Sequence, residues 1–148
     1  MLVPEKNRLD YGEQLMPPEG FELDSAIATT YSLDLNALLA VPVALCFSDT
    51  LDGDIKGEKL ALLEAIGQLN GKLKVFYQKG SISVPAKFNR LFTLLEPCLH
   101  PVIPKKGVFS SFHPKLWLLR FIEAEAKVKE RPEIRYRLIV LSRNLTFD

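Results

Sequence analysis

The sequence predicts an α/β domain, built on a mixed β-sheet with helices packed on both of its faces. Two observations predict it. In the first half of the chain the patterns follow the order strand, helix, helix, strand, which is typical of a crossover between parallel strands. Near the end, two long apolar strand patterns flank a charged segment, which is typical of an antiparallel hairpin.

The length and composition favour one globular domain. The chain has 148 residues, 47% of them hydrophobic and 25% charged, which excludes a disordered tail and a coiled-coil rod. The net charge of +1 excludes a basic arm that binds nucleic acid by bulk charge alone. Any anionic ligand must therefore be held by a local site.

The cysteines and apolar runs exclude further classes. Cys46 and Cys98 lie among apolar neighbours and are expected to be buried thiols rather than a disulfide scaffold or zinc ligands, so we expect neither a metal nor a cofactor. The beginning of the chain lacks the apolar region of a signal peptide. The longest apolar run, residues 37–47, is too short to span a membrane, so a cytoplasmic protein without membrane contact is expected.

Local patterns define the first elements. The first 20 residues are polar and contain three prolines, so we expect an irregular lead-in over 1–20 and the domain proper over 21–148. Ser32 and Asp34 are candidates for a helix N-cap, and Pro42 is expected to kink or interrupt that helix. The predicted elements are a strand over 21–31, a helix over 35–45, a loop over 48–56, a helix over 58–69 and a strand over 72–77.

The second half continues the alternation. Gly71 is placed to end the preceding helix, and Pro85 is placed to begin the next one. Residues 123–133 are rich in Glu, Lys and Arg, which favours a solvated hairpin loop. The predicted elements are a loop over 79–84, a helix over 85–95, a strand over 99–103 and two long strands over 108–122 and 135–141.

The residues that could perform chemistry lie where the two long strands are expected to meet. Alternate side chains of a strand share a face, so His113 and Lys115 point the same way, roughly 6.6–7 Å apart and within reach of one phosphate. Pro114 cannot donate a ladder hydrogen bond and is expected to mark a strand beginning or a bulge. Beyond Lys115 both faces are apolar, which predicts a central strand covered on both sides.

The second long strand ends in Ser142 and Asn144, which again share a face. Antiparallel pairing would bring them beside the beginning of the first strand, so that an imidazole, a cation, a hydroxyl and an amide surround one pocket. This set suits a phosphodiester better than a carbonyl or a metal. A histidine and a lysine two positions apart also occur by chance, and the return to Ser-x-Asn favours the functional interpretation.

Other candidates have weaker support. Thr29, Thr30 and Tyr31 end the first strand, where α/β proteins place their sites, and they could contact a phosphate or a base or simply be an ordinary strand end. Arg143 is a candidate contact to a phosphate backbone, or an ordinary surface arginine. His100 is interpreted as a structural or surface residue.

These motifs resemble a half-site of the phospholipase D superfamily. His113-Pro114-Lys115 followed by Ser142-Arg143-Asn144 is similar to the pattern H-x-K … S-x-N, especially to the aspartate-free variants in tyrosyl-DNA phosphodiesterase and bacterial phospholipase D-like nucleases. The resemblance implies a half-domain for metal-independent phosphodiester cleavage, with DNA as the first candidate substrate. It implies His113 as the nucleophile that forms a phosphohistidine, or as the acid. It also implies Lys115 and Asn144 as ligands of the phosphate oxygens and Ser142 as a support of the pocket.

The chain has a single H-x-K motif, whereas the superfamily uses two half-sites. The resemblance therefore implies a partner, either a second copy in a homodimer or a C-terminal half beyond Asp148. Two other functions stay open. One is a catalytically incomplete domain that binds nucleic acid or a protein. The other is an enzyme that acts on phospholipids, against which the lack of a basic amphipathic stripe counts.

Overall fold

The structure, a computed structural model, describes residues 11–46, 55–87, 90–105, 109–125 and 131–146. Its helices are α1 (Tyr11–Leu15), α2 (Leu35–Cys46), α3 (Ile55–Gln68) and α4 (Leu91–Leu95), and a 3₁₀ turn covers Glu96–Cys98. Its strands are β1 (Phe21–Thr30), β2 (Leu33–Asp34), β3 (Leu73–Gln78), β4 (Ile82–Ser83), β5 (Leu99–Val102), β6 (Leu116–Glu123) and β7 (Ile134–Val140).

Five strands form one mixed sheet in the order β5-β3-β1-β6-β7. β1 and β5 each run parallel to β3, whereas β6 runs antiparallel to both β1 and β7. The short strands β2 and β4 form a separate parallel pair. Helices α2 and α3 connect the parallel strands β1 and β3, and β6 and β7 are antiparallel neighbours. The predicted crossover, the predicted hairpin and the α/β class are therefore confirmed.

One face of the sheet carries the core. Strand residues of one parity pack against residues of all four helices. The largest fully buried side chains are Trp117, Phe121, Leu15, Leu33, Leu38, Leu45, Leu69, Leu73, Leu95, Leu119, Val75 and Thr30. On the opposite face, Ile27 and Leu118 keep 38% and 40% of their surface exposed. Within the described residues the helices thus cover one face, so the expected second helical layer, and with it a strand covered on both sides, is not found there.

A cap begins α2, and buried leucines stabilise its middle. The Asn36 backbone N–H donates to Asp34 Oδ1 at 2.8 Å, so Asp34 is the predicted cap. Pro42 lies inside the helix and does not interrupt it. Proline removes one backbone donor, and burial of Leu38 and Leu45 in the core stabilises the helix on either side of it.

Several predicted bounds differ from the observed ones. A helical turn with a buried Leu15 lies in the expected lead-in, of which residues 1–10 are outside the described residues. The loop over 48–56 lies largely outside them as well, and the helix over 85–95 is reduced to α4, with residues 88–89 outside. The strand expected over 108–122 begins only at Leu116. Its neighbours β1 and β7 end beside Leu116, so residues before Lys115 have no strand to pair with, and Pro114 lacks an N–H.

The two thiols are unequal. Cys98 is buried and Cys46 is half-buried, with its thiol donating to the carbonyl of Ala65 at 3.6 Å. Burial raises the pKa of Cys46 from 9.0 to about 11, which the nearby ammonium of Lys72 offsets only in part. Burial also raises the pKa of Cys98. Both thiols are therefore protonated at neutral pH.

Candidate functional site

Four segments meet at one end of the sheet, where β1, β3 and β7 end and β6 begins. They are residues 29–32, Gln78, residues 112–115 and residues 141–145, and we call this end the site edge. The carboxyl ends of parallel strands lie here, which is where α/β sheets place their ligands. None of these described segments contains Asp or Glu, and they bring in an ammonium, an imidazole, a guanidinium and two side-chain amides.

His113 and Lys115 are in direct contact. Lys115 Nζ lies 2.8 Å from His113 Nδ1 and 3.3 Å from Nε2, and it donates to the His113 carbonyl oxygen at 3.3 Å. His113 is exposed and Lys115 is half-buried. The sequence predicted that both residues lie on one face of a strand. In the structure they lie in an irregular segment instead. An anion that approaches the ammonium also meets the imidazole.

The segment that carries His113 is held at both ends. The backbone N–H of Phe112 donates to Gln78 Oε1 at 2.8 Å, which joins the segment to the end of β3. The backbone N–H of Leu141 donates to the Lys115 carbonyl at 2.9 Å, which extends the β6–β7 ladder by one step. These bonds hold the loop without a regular strand.

Tyr31 joins the imidazole to the end of β1. Its ring lies 5.4 Å from the His113 ring, centroid to centroid, with the planes tilted by 38°. Its backbone N–H donates to Asn144 Oδ1 at 3.2 Å. Tyr31 therefore contacts both His113 and Asn144, two residues predicted to share the site.

Asn144 is oriented by backbone donors. Its Oδ1 accepts hydrogen bonds from the backbone N–H groups of Tyr31 at 3.2 Å and Ser32 at 3.4 Å, and Thr30 Oγ1 lies 3.4 Å away. Because the amide oxygen faces the chain, the amino group Nδ2 is the donor that this side chain can offer to a ligand. This is the orientation that a phosphate oxygen requires.

Thr30 holds the loop of Asn144 in place. Its hydroxyl is buried, donates to the Ser32 carbonyl at 2.7 Å and accepts from the Leu145 backbone N–H at 2.9 Å. Leu145 also bridges to Leu33, and its carbonyl accepts from the Asp34 N–H at 2.9 Å. The sequence predicted Thr30 as a candidate ligand contact. The observed hydrogen bonds of its hydroxyl are to the protein itself.

The remaining candidates lie around this centre. The hydroxyl of Thr29 accepts from the Leu116 backbone N–H at 3.1 Å and so completes the pairing of β1 with β6. Ser142 and Arg143 are exposed in the bend after β7. Roles of Thr29, Ser142 and Arg143 in ligand binding stay predictions. His100 stacks on Phe76, with the ring centroids 5.2 Å apart, which agrees with a structural role.

Gln78 is the residue that sequence reasoning missed. It ends β3 as Thr30 ends the neighbouring parallel strand β1, and its half-buried side chain reaches the His113 segment. Its position at the carboxyl end of a strand predicted to be parallel is the signal that could have found it.

No family model matches the chain, and no curated protein or solved structure matches it. In the described parts of the chain, no three His, Cys, Asp or Glu side chains are grouped as metal ligands would be. No helix there has both the length and the apolar character needed to cross a membrane.

Proposed function

We propose that this chain is a phospholipase D-like half-site domain that cleaves a phosphodiester, with DNA as the first candidate substrate. The observation that carries the proposal is the contact between Lys115 Nζ and the His113 imidazole. Tyr31 links this pair to Asn144, since its ring contacts the His113 ring and its backbone N–H donates to the Asn144 amide oxygen. The three side chains together offer one nucleophile and two donors to a phosphate group.

Lys115 has two roles in the proposed reaction. Without substrate its ammonium donates to a ring nitrogen of His113, which occupies the lone pair there. A phosphate oxygen carries more negative charge than a neutral ring nitrogen, so bound substrate draws the ammonium onto itself. The released lone pair is then available to attack phosphorus.

The chemical step then balances as follows. A nitrogen–phosphorus bond forms to His113, and the bond from phosphorus to the leaving oxygen breaks. The leaving oxygen takes a proton from an acid of the second half-site, which a second copy of this chain supplies. Lys115 and the amino group of Asn144 stabilise the charge that develops on the non-bridging oxygens. Water then cleaves the nitrogen–phosphorus bond and regenerates the imidazole.

The test uses an end-labelled oligonucleotide and bis(4-nitrophenyl) phosphate, with EDTA present throughout. The wild-type chain is expected to cleave and to form an acid-labile, base-stable phosphoryl adduct that peptide mass spectrometry locates on His113. His113→Ala and Lys115→Ala are expected to lose activity, whereas His100→Ala, the matched control, keeps it. Binding of the oligonucleotide without cleavage, or activity that vanishes with EDTA, would overturn the proposal.

A further inference from the structure

The face of the sheet opposite the helices is apolar. We call it the open face and define it by residues that share one parity on β1, β6 and β7. These residues are Ile27, Leu116, Leu118, Ile122, Ile134, Tyr136, Leu138 and Val140. Six of the eight are between 38% and 74% exposed. Together they expose on the order of 500 Å² of apolar surface, which is near the upper end of the size range for the largest apolar patch on a typical monomer.

The charge at the centre of the open face, Arg120, is already paired, whereas Glu22, opposite Ile122 in the register, lies at one end of the face. Arg120 NH1 forms an ion pair with Asp24, and Arg120 Nε donates to the Tyr136 hydroxyl at 3.3 Å. Both charged side chains are still about one-third exposed. A charge that keeps its partner on burial costs far less than one buried alone. A covering layer therefore needs to supply apolar contacts, and no counter-charge, over the centre of the face.

We propose that the open face is the interface of a homodimer in which two copies pack their sheets face to face. An apolar surface whose central ion pair is satisfied internally can pack against its own copy, as a two-fold interface requires. Packed sheets lie about 10 Å apart and interdigitate their side chains.

The area agrees with this occupant. A standard interface buries about 800 Å² on each partner, and roughly two-thirds of a homodimer interface is apolar. The apolar area of the open face is of the same order as that share. The charged side chain of Lys74, on the neighbouring strand β3, lies opposite Ile27 in the register and would belong to the polar rim. The inference does not depend on the proposed catalytic function.

Sedimentation velocity of the full chain at tens of micromolar tests the proposal. The wild type is expected to sediment as a species with twice the 16.7 kDa mass of the chain. Leu138→Lys is expected to sediment as a monomer, because it places a charge in the centre of the interface. Leu60→Lys is the matched control, since Leu60 is similarly exposed but lies on α3, and this variant is expected to stay dimeric.

Leu118→Lys separates face packing from pairing of the two edge strands β7. Leu118 lies on β6, inside the sheet, so edge pairing tolerates the substitution whereas face packing does not. Circular dichroism melting checks that each variant is folded, and Val140→Lys replaces any that is not. A wild-type monomer, which would leave the face to another protein, or a dimer that survives both Leu138→Lys and Leu118→Lys, would overturn the proposal.

Discussion

The side-chain oxygen of Asn144 accepts the backbone N–H of Tyr31 at 3.2 Å, which joins the end of the chain to the end of its first strand. Ser32 donates to the same oxygen at 3.4 Å. The bonds fix the oxygen as the end of the amide that faces the backbone, so the amino group is the end that can donate to a ligand. A residue identified only as the last position of a motif thereby acquires a defined orientation.

Asn144→Asp separates this anchor from the proposed role in binding. Aspartate keeps an oxygen for the two backbone donors but replaces the amino group with a second, negatively charged oxygen. We expect phosphodiester cleavage to fall by about 100-fold or more, the cost of losing one donor to a developing oxyanion. The free energy of unfolding, measured in urea, should change little. Asn144→Ala is the comparison, and it should lose both activity and stability. Wild-type cleavage by Asn144→Asp would contradict this role.

Thr30→Val tests how the asparagine loop is held. The substitution leaves the Leu145 backbone N–H buried without its hydroxyl acceptor, which costs about 1–3 kcal/mol of stability. Amide hydrogen exchange at Leu145 should accelerate accordingly. Thr30→Ser keeps the hydroxyl, so exchange there should stay slow. Equal exchange rates in the two variants would show that the hydroxyl does not hold the loop.

Gln78→Met tests the support under His113. Methionine has a similar shape but cannot accept the Phe112 N–H. We expect kcat to fall roughly tenfold through misplacement of the imidazole, while KM changes less because Lys115 and Asn144 still bind the phosphate. Gln68→Met, at the exposed end of α3, is the control and should behave as wild type. A Gln78→Met enzyme with unchanged kcat would remove Gln78 from the site.

Local patterns predicted the parts of this fold that local forces decide. The β1–β3 crossover, the Asp34 cap, the turn at Gly71 with its φ of 77°, and the β6–β7 hairpin all follow from neighbouring residues. The pairing of Ser-x-Asn with His-x-Lys followed from the hairpin alone.

The rest depends on distant contacts. The alternation around His113 resembles a strand, but a strand needs neighbouring strands to pair with. Both neighbours of β6, which are β1 and β7, end beside Leu116. Apolar residues on both sides of β6 predicted two helical layers, yet periodicity cannot say what covers a face. The contact of Tyr31 with His113 joins segments far apart in the sequence, so no local pattern could reveal it.

The raised pKa of Cys46 predicts how this thiol responds to pH. Only the thiolate is alkylated, so in a Cys98→Ala background the iodoacetamide rate at Cys46 should rise with a midpoint near 11 rather than 9. The folded state binds the proton more tightly than the unfolded state, so this contribution to stability is present below pH 9 and is lost as the pH rises towards 11. A midpoint near 9 would mean that the thiol is solvated.

The central claim is that His113, Lys115 and Asn144 serve one anion, and imidazole NMR during titration with inorganic phosphate tests it most directly. His113 and His100 are the two histidines of the chain, so each reports on one place. We expect phosphate to shift the ring resonances of His113 and not those of His100, and we expect Lys115→Met and Asn144→Asp each to weaken that shift at equal phosphate. Equal shifts at both histidines, or a His113 response that neither variant alters, would contradict the account.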